Sequence, residues 1–261
     1  MCGMTNVELA AGRLAAAARD GAACAPVRDL VGADEAYAVQ SRNIHARIAA
    51  GARAVGRKIG LTSPAVRSQL GVDQPDFGVL LDDMAFEDGA TVPTGRLLQP
   101  RVEAEVAFVL SADLTTGPFD ERTVAAAVGY AQPALEIVDS RIANWDITFT
   151  DTVADNASAG LFVLGADRVK LADVVPRDVS MVLSVNGEER STGVGADCMG
   201  DPLTALAWLA TTAVELGDPL KAGDVVLSGS LGPVVPVAAG DEVEATFTGL
   251  GTVRARFGED A

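Results

Sequence analysis

The stretch Arg101-Val102-Glu103-Ala104-Glu105-Val106-Ala107-Phe108 alternates in character. Val102, Ala104, Val106 and Phe108 share one parity, and Arg101, Glu103, Glu105 and Ala107 the other. A period of two predicts a strand, with Glu103 and Glu105 on one face, one pleat repeat apart. The run from Pro133 to Asp139 predicts a second strand, in which Glu136 stands among Ala, Leu, Ile and Val. Apolar runs predict further strands over 56–62, 159–165, 181–187, 224–228, 242–247 and 252–257, with Asn186-Gly187 as a hairpin turn. Capping signals predict helices over 5–19 (Thr5 as N-cap, Glu8 completing a capping box), 33–50 closed by Gly51, 120–131, and 201–216 opened by Asp201-Pro202. Ser63-Pro64 opens a short helix to about Leu70, residues 79–86 read equally as strand or short helix, and 150–158 reads as polar and turn-prone. The pattern is α+β: a helical N-terminal arm, 1–52, then a mixed, mostly β body, 53–261.

Composition narrows the function. The chain has 261 residues and is 49% hydrophobic, enough for a well-buried core. No apolar run is long enough to span a bilayer, and the first residues lack a basic-then-apolar leader, so a cytoplasmic protein without membrane contact is expected. The net charge of −16 argues against a nucleic-acid partner, because phosphate binding needs a basic surface. Cys2, Cys24 and Cys198 show no pairing or metal spacing. His45 is the single histidine, so a multi-histidine zinc site is excluded. It reads as an ordinary helical residue, which leaves acid–base or metal chemistry to carboxylates and lysines.

Glu103 and Glu105 on one strand face repel unless a cation sits between them or one takes up a proton. A hard divalent cation suits carboxylate oxygens; a solvated strand face serves the sequence as well. Glu136 is costly to bury unless paired or metal-bound, with Arg101 or Arg141 as the available salt-bridge partners. Lys58 lies between Gly56 and Gly60, in a strand where a ligand can approach closely. Asp73 and Asp76 make an acidic loop. The turn at Gly229-Ser230-Leu231-Gly232-Pro233 exposes backbone N–H groups suited to an anion.

Several segments resemble the 2-keto-4-pentenoate hydratases of the fumarylacetoacetate hydrolase superfamily. They are Lys58-Ile59-Gly60-Leu61-Thr62-Ser63, the run from Leu70 to Gly78, Gln99 to Ala107, Ala134 to Arg141, Asp155-Asn156-Ala157-Ser158, and Gly229 to Pro233. The resemblance covers nearly the whole chain. It implies the superfamily's mixed β-roll, Glu103, Glu105 and Glu136 as Mg²⁺ or Mn²⁺ ligands, Lys58 as the active-site lysine, and Asp76 as the acid beside it. It implies Ser230 and Leu231 where a turn closes on the substrate carboxylate. It further implies a homo-oligomer, associated with other enzymes of its pathway. The reaction implied is hydration of a small anionic 2-hydroxydienoate, 2-hydroxypenta-2,4-dienoate, to the 2-oxo acid 4-hydroxy-2-oxopentanoate. The alternatives are a 4-oxalocrotonate decarboxylase of the same family, for which no second cation is evident in the sequence, and a non-catalytic partner subunit.

Overall fold

The computed structural model describes residues 3–63 and 74–258. The helix expected after Ser63, and Asp73, lie outside the described residues.

Two helices form the arm. Helix α1 (Asn6–Asp20) starts at the expected capping box, where the Thr5 hydroxyl accepts from Glu8 N and the Glu8 carboxylate accepts from Thr5 N. Helix α2 (Ala33–Ala49) buries Ala36, Val39, Gln40 and Ile44, while Ala46 and Ile48 face solvent. His45 is exposed, with its Nδ1 3.3 Å from Ser41 Oγ. The two helices share a small core with Ile142, Val153 and Ala154 from the body.

The body is two packed sheets. Strands β1 (Ala54–Gly60), β2 (Asp76–Leu81), β3 (Ala85–Glu87), β5 (Arg101–Leu110), β6 (Val128–Val138), β7 (Ala159–Leu164), β10 (Val225–Ser230) and β11 (Val235–Pro236) form the eight-stranded sheet. Its order is β2-β1-β10-β5-β6-β7-β3, with β11 added to β5. Strands β4 (Thr91–Pro93), β8 (Ser180–Val185), β9 (Glu188–Val194), β12 (Glu242–Phe247) and β13 (Gly251–Gly258) form the second, ordered β4-β13-β12-β8-β9. The alternation seen in the sequence explains how they stack. Val102, Ala104, Val106 and Phe108 all point into the core, which Phe162, Phe247 and Phe257 share. Each such phenylalanine contributes on the order of 1.5–3 kcal/mol by leaving water.

Three local expectations differ from the structure. The helix expected over 120–131 ends early: α3 is Glu121–Ala127, and Val128 begins β6. Pairing of Tyr130 with Val109 and Ala131 with Phe108 outweighs the local helical preference. The segment 79–86 is both things in turn, strand to Leu81 and a 3-10 turn over Asp82–Met84. The turn-prone 150–158 contains a helix, α4 (Phe149–Ala154). Helix α5 (Pro202–Glu215) forms as expected, with the Asp201 carboxylate accepting from Leu203 N.

Candidate active site

Register decides what the carboxylates do. β5 and β6 are antiparallel, and Glu103 stands directly across from Glu136, with Glu105 across from Ala134. Like charges directly opposite on a sheet destabilise it. Here three are gathered: Glu103, Glu105 and Glu136 each place a carboxylate oxygen within 4.8 Å of the others. Glu105 and Glu136 are 0% and 1% exposed, while Glu103 is half-buried.

Very little in the protein answers these charges. Glu105 Oε2 accepts from Gly229 N at 2.7 Å, but among the described residues Glu105 Oε1 and both Glu136 oxygens lack a hydrogen-bond donor of good geometry. Lys58 Nζ is 3.1 Å from Glu136 Oε1, an ion pair in place of the salt bridges to Arg101 or Arg141 considered from sequence. Burial, then Glu136 and the opposing pull of Lys58, leave Glu103 pushed up to about 7. Burial raises Glu105 strongly, reinforced by Glu136 and Glu103, and burial raises Glu136 against the pull of Lys58. Burial alone would lower the Lys58 ammonium, but Glu136, Asp76, Glu103 and Glu105 outweigh it, and the group stays charged. A cluster of buried, incompletely partnered carboxylate oxygens fits a hard divalent cation, which wants oxygen donors and supplies the missing charge.

Asp76 opens β2 opposite Gly60, and Lys58 pairs with Gly78 on the same two strands. A Cβ at Gly60 would collide with Asp76 Oδ1 and come within 3.4 Å of Lys58 Nζ, which is why glycine stands two residues after the lysine. Burial raises Asp76 despite Lys58. Thr152 Oγ1 donates to Asp76 Oδ2 at 3.3 Å and lies 3.4 Å from Ser158 Oγ.

Ser158 ends an unusual turn. Asn156, Ala157 and Ser158 all hold positive φ, at 55°, 51° and 54°. For L-residues that conformation costs roughly 1–2 kcal/mol each. The compensation is local: Asn156 accepts from Val79 N at 2.8 Å and donates to Val79 O at 2.9 Å, as a neighbouring strand would. Helix α4 is fixed from below by Asp151, 0% exposed, whose carboxylate accepts from Val27 N, Arg28 N and Nη1, and Thr148 N and Oγ1. The arm also reaches this wall, where Gln40 Nε2 donates to Phe77 O and Val153 O and Tyr37 stacks on Phe77.

A cleft of about 1050 Å³ opens at the carboxylate cluster; Glu103 lines it, whereas Glu105 and Glu136 are buried and do not. Lys58, Asp76, Glu103, Ser230 and Leu231, candidates from the sequence, line it together with Arg101, which entered the sequence reading only as a salt-bridge partner for Glu136, and with Thr152, Ser158 and Trp145, which that reading did not single out. The 229–233 turn is present, and three of its donors are engaged: Gly229 N with Glu105, Leu231 N with Ala104 O at 3.1 Å, and Ser230 Oγ with Gly232 O at 2.6 Å. Leu231 is fully buried and shapes the wall.

Comparison with known proteins agrees with this architecture. Residues 52–258 match the model of the fumarylacetoacetate (FAA) hydrolase C-terminal family. The chain belongs to the fumarylacetoacetate hydrolase family. Among relatives, 2-keto-4-pentenoate hydratase 1 of Dechloromonas aromatica (strain RCB) is 52% identical, covering 97% of this chain and 98% of that one. The 2-hydroxyhexa-2,4-dienoate hydratase of Comamonas testosteroni is 43% identical over the same shares. Among solved structures, 4-oxalocrotonate decarboxylase from Pseudomonas putida G7, complexed with magnesium and adipate, superposes with a TM-score of 0.93 at 34% identity. It covers 98% of this chain and 100% of its own. The fumarylacetoacetate hydrolase fold expected from the sequence is therefore the fold observed. Among the described residues, no helix is long and apolar enough to cross a membrane.

Proposed function

We propose that the protein is a metal-dependent hydratase converting 2-hydroxypenta-2,4-dienoate to 4-hydroxy-2-oxopentanoate, in the meta-cleavage catabolism of aromatic compounds. The carrying observation is 52% identity with a hydratase along nearly the full length of both chains. The site's chemistry agrees. Glu103, Glu105 and Glu136 would hold Mg²⁺ or Mn²⁺. When bound, such an ion supplies Lewis acidity, drawing charge toward the substrate's 2-oxo oxygen.

The protein's own groups handle protons and water. The dienol loses its 2-hydroxyl proton and gains one at C5, which leaves an α,β-unsaturated ketone. Water then adds at C4 while C3 is protonated, so the net change is one water gained. Lys58 Nζ, held charged by its carboxylate neighbours, places a cation beside the reacting enolate. Asp76, whose raised affinity for a proton comes from burial, exchanges protons at Oδ2 with Thr152 Oγ1, and Ser158 Oγ continues the chain. Val138, Trp145, Ile147 and Leu231 line the same cleft with apolar surface that limits bulk water.

A decarboxylase acting on 2-oxo-3-hexenedioate would use the same carboxylates, and the close superposition on a decarboxylase favours it as the second reading. Purified protein with Mg²⁺ or Mn²⁺ should hydrate the pentadienoate, with products followed by NMR and activity abolished by EDTA. Release of CO₂ from the hexenedioate without hydration of the pentadienoate would reverse the order. Exposed Met4, Leu9 and Ile48 on the arm support the homo-oligomer expected from the family resemblance, which light scattering would test.

A further inference from the structure

Several donors that could recognise an anion in this cleft are already engaged. The substrate is an anion, yet the backbone N–H groups of Gly229 and Leu231 and the hydroxyl of Ser230 are all spent inside the protein. Lys58 is paired with Glu136. The remaining cation lining the cleft, among the described residues, is Arg101.

Arg101 shares its strand face with Glu103 and Glu105, and two residues of strand separate it from Glu103 by roughly 6.6 Å. Its guanidinium lies 4.3 Å from the centroid of the Trp145 ring. Among the described residues no carboxylate pairs with it, in contrast to Arg28, Arg57 and Arg141, which bind Asp151, Asp218 and Asp155. Trp145 is itself braced: its Nε1 donates to Gln99 O at 3.1 Å, and the turn carrying it is tied by Gln99 to Ser140 O, Ile142 O and Asn144 N. Asp139 in turn accepts from Leu98 N and Gln99 N. A guanidinium attracted to an aromatic face keeps N–H groups available for a carboxylate, which it can grip with two parallel bonds.

We propose that Arg101, held over the Trp145 ring, binds the carboxylate of the 2-oxo acid substrate beside the three glutamates. The identity of the substrate rests on the hydratase reading; the anion-binding role of Arg101 does not. Losing a charge-assisted pair of this kind weakens binding about 10- to 100-fold.

The test compares wild type, Arg101→Lys and Arg101→Gln with Mg²⁺ present, each in a Trp208→Phe background that leaves Trp145 as the reporting indole. Binding of pyruvate, pyruvamide and adipate is followed by tryptophan emission and by calorimetry. Arg101→Gln should weaken pyruvate about 10- to 100-fold and pyruvamide less than threefold, while the Mg²⁺-induced rise in Tm persists. KM for the pentadienoate should rise in parallel, with kcat within threefold of wild type. Unchanged pyruvate affinity would overturn the assignment, as would equal losses for pyruvate and pyruvamide, which mark a structural role. A loss confined to adipate would overturn it too, by placing Arg101 at a distal carboxylate. A wild-type enzyme that binds pyruvate through Arg101 but leaves the pentadienoate untouched would instead refute the hydratase reading alone.

Discussion

Replacing Glu105 by Gln should have opposite effects on the metal-free and metal-loaded protein. Without a cation, Glu105 faces Glu103 and Glu136 with oxygens inside 4.8 Å, and Lys58 partly offsets them. At an effective dielectric of 20, two unit charges 4.8 Å apart repel by about 3.5 kcal/mol. Lys58 and partial protonation reduce the relief to be gained to about 1–3 kcal/mol. Glutamine still accepts from Gly229 N, and its amide N–H groups stand near the unsatisfied Glu136 oxygens. In EDTA at pH 8 the variant should therefore melt several degrees above wild type, at roughly 2–4 °C per kcal/mol. In Mg²⁺ the ranking should invert. Wild type gains about 2.7 kcal/mol at 100 times Kd, and the variant loses most of that gain. The pH dependence has a definite sign. Glu103, pushed up to about 7, binds a proton in the folded state that it lacks when unfolded. Metal-free wild type therefore gains stability as pH falls through 7 toward the unfolded value, and the advantage of the variant shrinks by pH 6. Scanning calorimetry in EDTA and in Mg²⁺, at pH 6 and 8, reads all four comparisons. A variant that is destabilised without metal and still stabilised by Mg²⁺ would refute the cation-site reasoning.

Other expectations follow from single contacts. Gly60→Ala would force a methyl onto Asp76 Oδ1 and against Lys58, so kcat/KM should fall at least tenfold, about 1.4 kcal/mol, with a much smaller effect on Tm. Asn156→Ala removes both bonds to Val79 and the side chain that tolerates positive φ, and urea unfolding should show a loss of about 2–4 kcal/mol. Asp151→Asn removes the charge from a buried carboxylate that accepts from Val27 N, Arg28 and Thr148, so scanning calorimetry should show a lower Tm, and the loosened α4 wall should lower turnover even where the variant stays folded. Mg²⁺ affinity, measured by calorimetry, should fall as pH drops below about 7, because protons compete with the metal for Glu103.

The strand carrying Glu103 and Glu105 was readable because period two is a local signal. Glu136 stood out because a carboxylate in an apolar run is anomalous. What no local pattern carried was register: Glu103 meets Glu136 only through the long-range pairing of β5 with β6. The same reason hid α3's early end, where cross-strand pairing took over Val128 and the residues after it. Helix α4 was hidden differently. Thr148, Asp151 and Thr152 have the composition of a turn, but Asp151 is committed to Val27, Arg28 and Thr148, and Thr152 to Asp76. Polar residues at helical positions read as loop until their partners are known. Trp145, one of two tryptophans, was a usable signal, since a large aromatic in a loop invites the question of what it covers.

The arm is more than a cap on the body. Helix α4 supplies Thr152 to Asp76, and α4 is held in place by Val27 and Arg28 through Asp151 and by Gln40 through Val153 O. Gln40 also holds Phe77 O, next to Asp76. Two of the groups that set proton positions beside Lys58 therefore depend on contacts made by residues 27–40, outside the region matched by the family model. The carboxylate cluster rests on β5, β6 and β10 and has no such dependence. Loosening the arm should consequently separate two functions that a single site would lose together. Gln40→Ala should leave Mg²⁺ affinity near wild type while lowering kcat, and the pH profile of kcat should broaden as Asp76 loses its fixed partner. Parallel loss of metal binding and turnover would mean that the arm supports the fold as a whole rather than this wall of the cleft.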